Sequence, residues 1–221
     1  MRPKQHCLCS EIQPFETRTE FVILIHPKEV KKVRNGTGRL AHLCLANSRL
    51  IMGESFTQDP VVNGLLQDPE NATALLYPGE SAVSAEEIRF PSDKNPVVFI
   101  MDGSWSGAKK MMRLSENLHG LPRIKIDPET PSRFLIRRQP NPQCLSTIES
   151  IHALLNIWNR RGLEHLKNRH NNLVEVLGEL VRIQLSYIND PNLEERRRNP
   201  HVKTGRPRSH KHYKIFPYFQ D

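Results

Sequence analysis

Three short apolar runs constrain the fold of this chain more than any other feature. They are FVILIHP (residues 21–27), TALLYPGE (73–80) and PVVFIMDG (96–103). Each ends at proline, glycine or aspartate, as buried strands commonly do. Helical patterns alternate with these runs and with two weaker strand candidates, RLIMG and PRIKI. The alternation predicts an α/β domain whose parallel sheet is buried on both faces.

The ends of these strands predict the position of a ligand site. Ligands of open parallel sheets bind outside the carboxyl ends of the strands, so the three loops should share one edge. Asp102 and Trp105 lie in the third loop. Asp102 could accept a proton during catalysis or simply close a turn. Trp105 could stack on a base or pack beneath the sheet.

The chain changes character near Ser146. Ile148, Ile151, Leu155 and Trp158 recur at helical spacing, and Ser146 or Thr147 is a natural N-cap. The first N–H groups of such a helix could bind ligand oxygens or could be satisfied by capping alone. A second long helix is predicted from residue 164 to 188. Gly178 inside it costs about 1 kcal/mol relative to alanine and predicts a kink or close packing.

Most of the net positive charge of the chain lies in its last segment. Residues 194–214 carry eight Lys or Arg and two Glu, within a chain of net charge +8. The segment is too polar to build a core and is predicted to be an extended arm. An excess of positive charge favours an anionic partner, with nucleic acid before a membrane surface.

Several function classes are disfavoured by absent patterns. The sequence has no G-x-G-x-x-G and no P-loop, which argues against a Rossmann-type methyltransferase and an NTPase. It also lacks a recognisable signature of a Ser-His-Asp hydrolase. Four cysteines, no apolar run of about 20 residues and no signal-peptide pattern favour a soluble protein of the reducing cytoplasm.

Four patterns in order carry a resemblance. They are RPKQHCLC (2–9), LLYPGESA (75–82), DGSW (102–105) and LIRRQPNPQCLSTIES (135–150). Together they resemble the DTW-domain family of the SPOUT superfamily, which usually has Asp-x-Thr-Trp where this chain has serine at position 104. The resemblance implies an α/β fold with a trefoil knot, C-terminal helices and a basic tail. It divides the chain into an N-terminal cysteine-containing segment (1–20), a SPOUT-like domain (21–190) and a tail (191–221).

The implied activity is transfer of the 3-amino-3-carboxypropyl group of S-adenosylmethionine to a uridine base in tRNA, with release of methylthioadenosine. Two alternatives are a SPOUT-type RNA methyltransferase and a non-enzymatic RNA-binding protein. The resemblance makes Asp102 the catalytic residue, as general base or as cofactor ligand.

The expected cofactor-binding residues lie in three loops: Leu76, Pro78, Gly79, Gly103, Ser104, Trp105, Leu145, Ser146, Thr147 and Glu149. The expected RNA-binding residues are basic: Arg137, Arg138, Arg196, Arg197, Arg198, Lys203, Arg206 and Arg208. Arg137 and Arg138 could instead bind the methionine carboxylate or form a solvated pair.

The resemblance leaves zinc open. Many members of the family carry a further cysteine pair upstream, which completes four thiolates suited to structural zinc. This sequence offers Cys7 and Cys9, and two thiolates cannot close a tetrahedral site. His6 or Cys44 could add ligands.

Overall fold

A computed structural model describes residues 7–32, 36–128, 130–137 and 143–188 of the chain. Within them, helices separate most successive strands from residue 20 onward, as the apolar runs predict, but the three strands between residues 71 and 102 follow one another directly. The strands are β1 (Glu20–Ile25), β2 (Ser48–Met52), β3 (Asn71–Leu76), β4 (Val83–Ser84), β5 (Asn95–Asp102) and β6 (Arg123–Lys125). The helices are α1 (Pro27–Lys32), α2 (Thr37–Cys44), α3 (Pro60–Gln67), α4 (Trp105–Leu114), α5 (Thr147–Arg160) and α6 (Asn172–Ile188).

The six strands form one parallel sheet in the order β2-β1-β5-β3-β6-β4. β5 lies between β1 and β3, although it follows both in sequence. Ile25 at the end of β1 is level with Asp102 at the end of β5. Leu76 at the end of β3 is level with Ile100. The α/β class and the parallel sheet are therefore confirmed, and the ends of the longest strands meet at one edge.

The apolar run of β5 is continuous because the sheet is covered on both faces. Val98 and Ile100 point into a core shared with α2, α5 and α6. Val97, Phe99 and Met101 point into a second core shared with α3 and α4. Successive residues of a strand face opposite sides, so a sheet between two helical layers needs apolar residues at every position.

The second C-terminal helix is shorter than the sequence predicts. α6 begins at Asn172, and Lys167 and Asn168 before it have φ of 47° and 64°, which no α-helix accommodates. The buried carboxylate of Glu164 accepts hydrogen bonds from the Arg18 and Thr19 N–H groups and from the Thr19 hydroxyl. These long-range bonds hold residue 164 outside a helix, so the prediction of a helix from 164 was wrong.

Close packing, one of the two roles predicted for Gly178, is not observed. The residue is exposed on α6, and a Cβ built on it would meet open space. Close packing therefore does not explain the glycine. The sequence analysis also missed α3, whose N-cap Asp59 accepts hydrogen bonds from the Val61 and Val62 N–H groups.

The segment before β1 is irregular but attached to the domain. Phe15 is buried and forms a β-bridge with Leu45, and the Gln13 N–H donates to the Asn172 side chain. No helix in the described part of the chain is long and apolar enough to cross a membrane. The predicted basic arm, including Arg196, lies outside the described residues.

Candidate active site

A cleft of about 760 Å³ lies at the carboxyl edge of the sheet. The ends of β3, β5 and β6 form one side of it, and the segment leading into α5 forms another. Its lining includes residues 76–78, 100–105, 124–128 and 143–147. This volume lies in the range of about 300–1,000 Å³ that is usual for small-molecule sites. The predicted edge site is therefore a real concavity built from the ends of neighbouring strands.

Asp102 is the last residue of β5 and is buried in the wall of the cleft. The Thr147 hydroxyl donates to its Oδ1 at 2.5 Å. Oδ2 is buried and has no hydrogen-bond partner of ordinary geometry among the described residues. Gly38 of α2 packs against the carboxylate so closely that a Cβ there would lie 2.5 Å from Asp102 Cγ. Asp102 is thus held by Thr147 at one oxygen and by Gly38 at the other, and Oδ2 keeps no hydrogen bond of ordinary geometry.

The environment of Asp102 raises its pKa to about 6. Burial is the largest cause, because it disfavours the charged form. The hydrogen bond from Thr147 lowers the pKa, the nearby Glu29 carboxylate raises it, and Arg137 and the Gly38 amide lower it. A carboxylate with a pKa near neutrality is a stronger proton acceptor than an ordinary aspartate and is still mostly ionised at pH 7.

Arg137 lines the cleft but is already engaged by a buried carboxylate. Its Nη2 lies 2.8 Å from Oε1 of Glu29, a buried residue of α1, and its Nη1 donates to Oε2 at 3.3 Å. This bidentate pair orients the guanidinium beside Asp102. The predicted RNA-binding role of Arg137 stays a prediction, and Arg138 lies outside the described residues.

The cap of α5 brings the third predicted loop to the cleft. Ser146 is the N-cap, as predicted, and its N–H and hydroxyl both donate to Glu149. Glu149 also accepts hydrogen bonds from the Ser132 hydroxyl and the Arg133 N–H. Four donors therefore occupy this buried carboxylate, which fixes the 132–133 segment to the start of α5.

Most of the predicted cofactor-binding residues line the cleft. These are Leu76, Pro78, Gly103, Ser104, Trp105, Leu145, Ser146 and Thr147. Gly79 and Glu149 are not in its lining; Gly79 lies against Arg123, whose Nη1 would be 3.1 Å from a Cβ. Ser104 is the N-cap of α4 and accepts a hydrogen bond from the Gly107 N–H, so capping accounts for its hydroxyl.

Other residues of the cleft were not singled out from the sequence. Those after β6 are Lys125, Ile126, Asp127 and Pro128, and those elsewhere are Thr37, Tyr77, Met101, Phe134 and Gln143. The rule that ligands lie beyond strand ends also applies to PRIKI and could have found the first group. No local pattern marks Thr37 or Phe134, which reach the cleft only through packing.

The cysteines give no metal site within the described part of the chain, where no group of three or more His, Cys, Asp or Glu could hold an ion. Cys7 Sγ and Cys9 Sγ lie 2.8 Å apart, and this contact raises the pKa of Cys9. Cys44 is buried in the core, which raises its pKa to about 11 and keeps the thiol protonated. Cys44 thus belongs to no such group of ligands among the described residues, and His6 lies outside them.

Comparison with known proteins gives a consistent family. The DTW domain model matches residues 1–185. A "tRNA-uridine aminocarboxypropyltransferase 2" of Mus musculus is 32% identical over 167 residues, and that of Drosophila melanogaster is 30% identical over 191 residues. A "tRNA-uridine aminocarboxypropyltransferase A" of Arabidopsis thaliana is 26% identical over 216 residues.

The matches cover most of this chain and differing shares of the relatives. They span 73% of this chain and 55% of the mouse protein, 83% and 72% for the fly protein, and 85% and 80% for the plant protein. The chain thus spans about half the length of the mouse relative. No solved structure matches the chain.

Proposed function

Because this chain belongs to the DTW-domain family, we propose that it transfers the 3-amino-3-carboxypropyl group of S-adenosylmethionine to a uridine base in tRNA. The names of its relatives support the reaction and the substrate. One observation supports it in this chain: a buried carboxylate, with one oxygen unpaired and a pKa of about 6, in the wall of a strand-end cleft.

The residues of the cleft fit S-adenosylmethionine. Ile100, Ile124 and Phe134 offer apolar surface for the adenosine. Arg137, which its pair with Glu29 orients, offers its remaining N–H donors to the methionine carboxylate, and the start of α5 offers backbone N–H groups. Such a combination of apolar walls and a few polar groups is typical of cofactor sites. When bound, this cofactor supplies a carbon made electrophilic by the adjacent sulfonium.

Asp102 acts as the general base in this proposal. A uracil ring nitrogen is a poor nucleophile while it carries its proton. Oδ2, which has no hydrogen-bond partner of ordinary geometry among the described residues, accepts that proton, while the Thr147 hydroxyl holds the other oxygen. With the cofactor bound, the freed nitrogen electron pair would form a bond to its electrophilic carbon, and the carbon–sulfur electrons would stay on sulfur in the methylthioadenosine released. Asp102 then loses its proton to solvent.

Further parts of the proposal rest on the resemblance alone. They are the SPOUT assignment with its trefoil knot, a cytoplasmic location, and RNA binding by the basic tail. The tail would act through charge, because each phosphate it neutralises releases a counterion and steepens the salt dependence of binding by about 0.7 to 0.9. Gly79 and Glu149 would serve the cofactor indirectly, by shaping the loops that line the cleft.

The test is to incubate the protein with tRNA and S-adenosylmethionine and to analyse the products by mass spectrometry. We expect a uridine enlarged by the aminocarboxypropyl group, with methylthioadenosine released in equal amount. Methylated RNA with S-adenosylhomocysteine would instead show a methyltransferase. RNA binding with no turnover of the cofactor would show a non-enzymatic binding protein.

The variant Asp102→Asn tests the role of the acid. It keeps the size of the side chain and removes the proton acceptor. Transfer should fall by roughly two orders of magnitude or more, while calorimetry still detects S-adenosylmethionine binding. Near-normal turnover would make Asp102 a turn residue. Loss of cofactor affinity in a folded variant would make it a cofactor ligand.

A further inference from the structure

Trp105 lies on the exposed lip of the cleft. It is the first residue of α4, lines the cleft, and is 38% exposed, whereas Ile100, Asp102 and Phe134 in the same lining are each 4% exposed or less. Among the described residues its ring stacks on no other aromatic ring, and its indole N–H has no hydrogen-bond partner. Core packing therefore does not explain this side chain.

The next turn of α4 presents a cation on the same lip. Lys109 lines the cleft, is exposed, and has no ion-pair partner among the described residues. Lys110, its neighbour, pairs with Glu54 and is not part of the lining. Lys110 of α4 is thus paired with a carboxylate, whereas Lys109 lines the cleft without an ion-pair partner among the described residues.

The spacing of Trp105 and Lys109 suits the base and the phosphate of one nucleotide. Residues four apart on a helix lie on one face with Cβ atoms about 6 Å apart. An aromatic ring that stacks a base beside a cation that binds a phosphate is the recurrent way in which proteins hold an unpaired nucleotide. Trp105 is also only three residues from Asp102, so their Cα atoms are at most about 11 Å apart.

The RNA base and the cofactor should occupy different depths of the cleft. The reacting base belongs to a polymer and must enter from solvent, whereas a small cofactor can occupy the buried, apolar part first. We propose that Trp105 and Lys109 form the acceptor seat, in which the uracil stacks on the indole and an adjoining phosphate binds the ammonium. This inference rests on the proposed function and assigns Trp105 to the RNA rather than to the cofactor.

Tryptophan fluorescence tests the seat directly. The chain has two tryptophans, and Trp158 is 1% exposed in the core, so quenching by a ligand reports Trp105. A short oligouridylate should quench the emission saturably, and Trp105→Phe should abolish this response. S-adenosylmethionine alone should leave the emission largely unchanged. Saturable quenching by the cofactor alone would show that the indole contacts the cofactor and would overturn the proposal.

Affinity for labelled tRNA gives a second readout with a matched control. Trp105→Ala should weaken binding roughly 5-fold to 100-fold, as expected for a lost stacking platform. Lys109→Gln should lower the salt slope by about 0.7 to 0.9, while Lys110→Gln leaves it unchanged. Cofactor binding by calorimetry should persist in all three variants. Equal effects of the two lysine variants would reduce Lys109 to a general surface charge and overturn the proposal.

These outcomes also distinguish a failure of the proposed acceptor seat from a failure of the proposed reaction. If wild-type protein transfers the group but Trp105→Ala and Lys109→Gln leave the KM for tRNA unchanged, the seat is wrong and the proposed function stands. If tRNA binding depends on both residues and no group is transferred, the chemistry is wrong and the seat stands.

Discussion

The variant Asp102→Asn should gain stability relative to the wild-type protein as the pH rises. The pKa of Asp102 in the folded protein is about 6, against 3.8 for an ordinary aspartate. Because burial raises the folded-state pKa, the protonated group favours folding below pH 3.8, and this contribution is lost as the pH rises through about 6. At alkaline pH the ionised side chain therefore costs about 3 kcal/mol. Asparagine has no charge to bury and does not titrate.

The pH dependence of the difference is the sharper quantity. From the folded-state and unfolded-state pKa values of Asp102, about 1.4 kcal/mol of this ionisation cost develops between pH ~5 and pH ~8. The hydrogen bonds that asparagine makes or loses with Thr147 add an offset that does not vary with pH. Urea unfolding of both proteins across this range should therefore show their free energies of unfolding diverging by about that amount, in favour of the variant.

Two features make this measurement decisive. Subtracting the free energy of unfolding of one protein from that of the other removes the effect of all other titrating groups. Unequal denaturant slopes would reveal that the substitution changed something other than stability. A difference that is constant over the range, or that grows toward low pH, would refute the argument that Asp102 is buried with a raised pKa.

Three further substitutions and one control test the packing at the site and elsewhere in the domain. Gly38→Ala should destabilise the protein by about 1–3 kcal/mol in thermal melts and abolish transfer, because its Cβ would clash with the Asp102 carboxylate. Gly64→Ala in α3, where a Cβ meets open space, is the matched control and should not destabilise. Glu164→Ala should cost about 3 kcal/mol or more in urea unfolding, because two buried donors of Thr19 and the partly buried Arg18 N–H lose their acceptor; a loss below ~1 kcal/mol would contradict this. Gly178→Ala should stabilise by about 0.5–1 kcal/mol, and a lower melting temperature would show that the glycine has a structural role.

The apolar runs determine much of the fold by themselves. A strand between two helical layers must be apolar at every position, so PVVFIM can form little other than a central strand of a parallel sheet. The polar residue that follows such a run lies at the carboxyl edge, where ligands bind. The position of Asp102 at a site therefore follows from local sequence, and so does the cap of α5 at Ser146, because both depend on neighbouring residues alone.

The chemistry of the site depends on contacts between distant parts of the chain. Thr147 bonds to Asp102 across 45 positions, and Arg137 pairs with Glu29 across 108. These pairs meet because β5 inserts between β1 and β3, a strand order that no local pattern specifies. The raised pKa of Asp102 follows from the burial that this packing creates.

The same distinction explains why the predicted start of the second C-terminal helix was wrong. The residues from 164 onward have a helical pattern, and local propensity extends the helix through them. The chain before β1 supplies three donors to Glu164 instead, and a buried carboxylate with three hydrogen bonds outweighs a propensity of a few tenths of a kcal/mol per residue. Sequence determined which segments are buried and which edge carries the cleft; tertiary structure decided which oxygen of Asp102 lacks a hydrogen bond, because burial and hydrogen bonding arise only when distant segments meet.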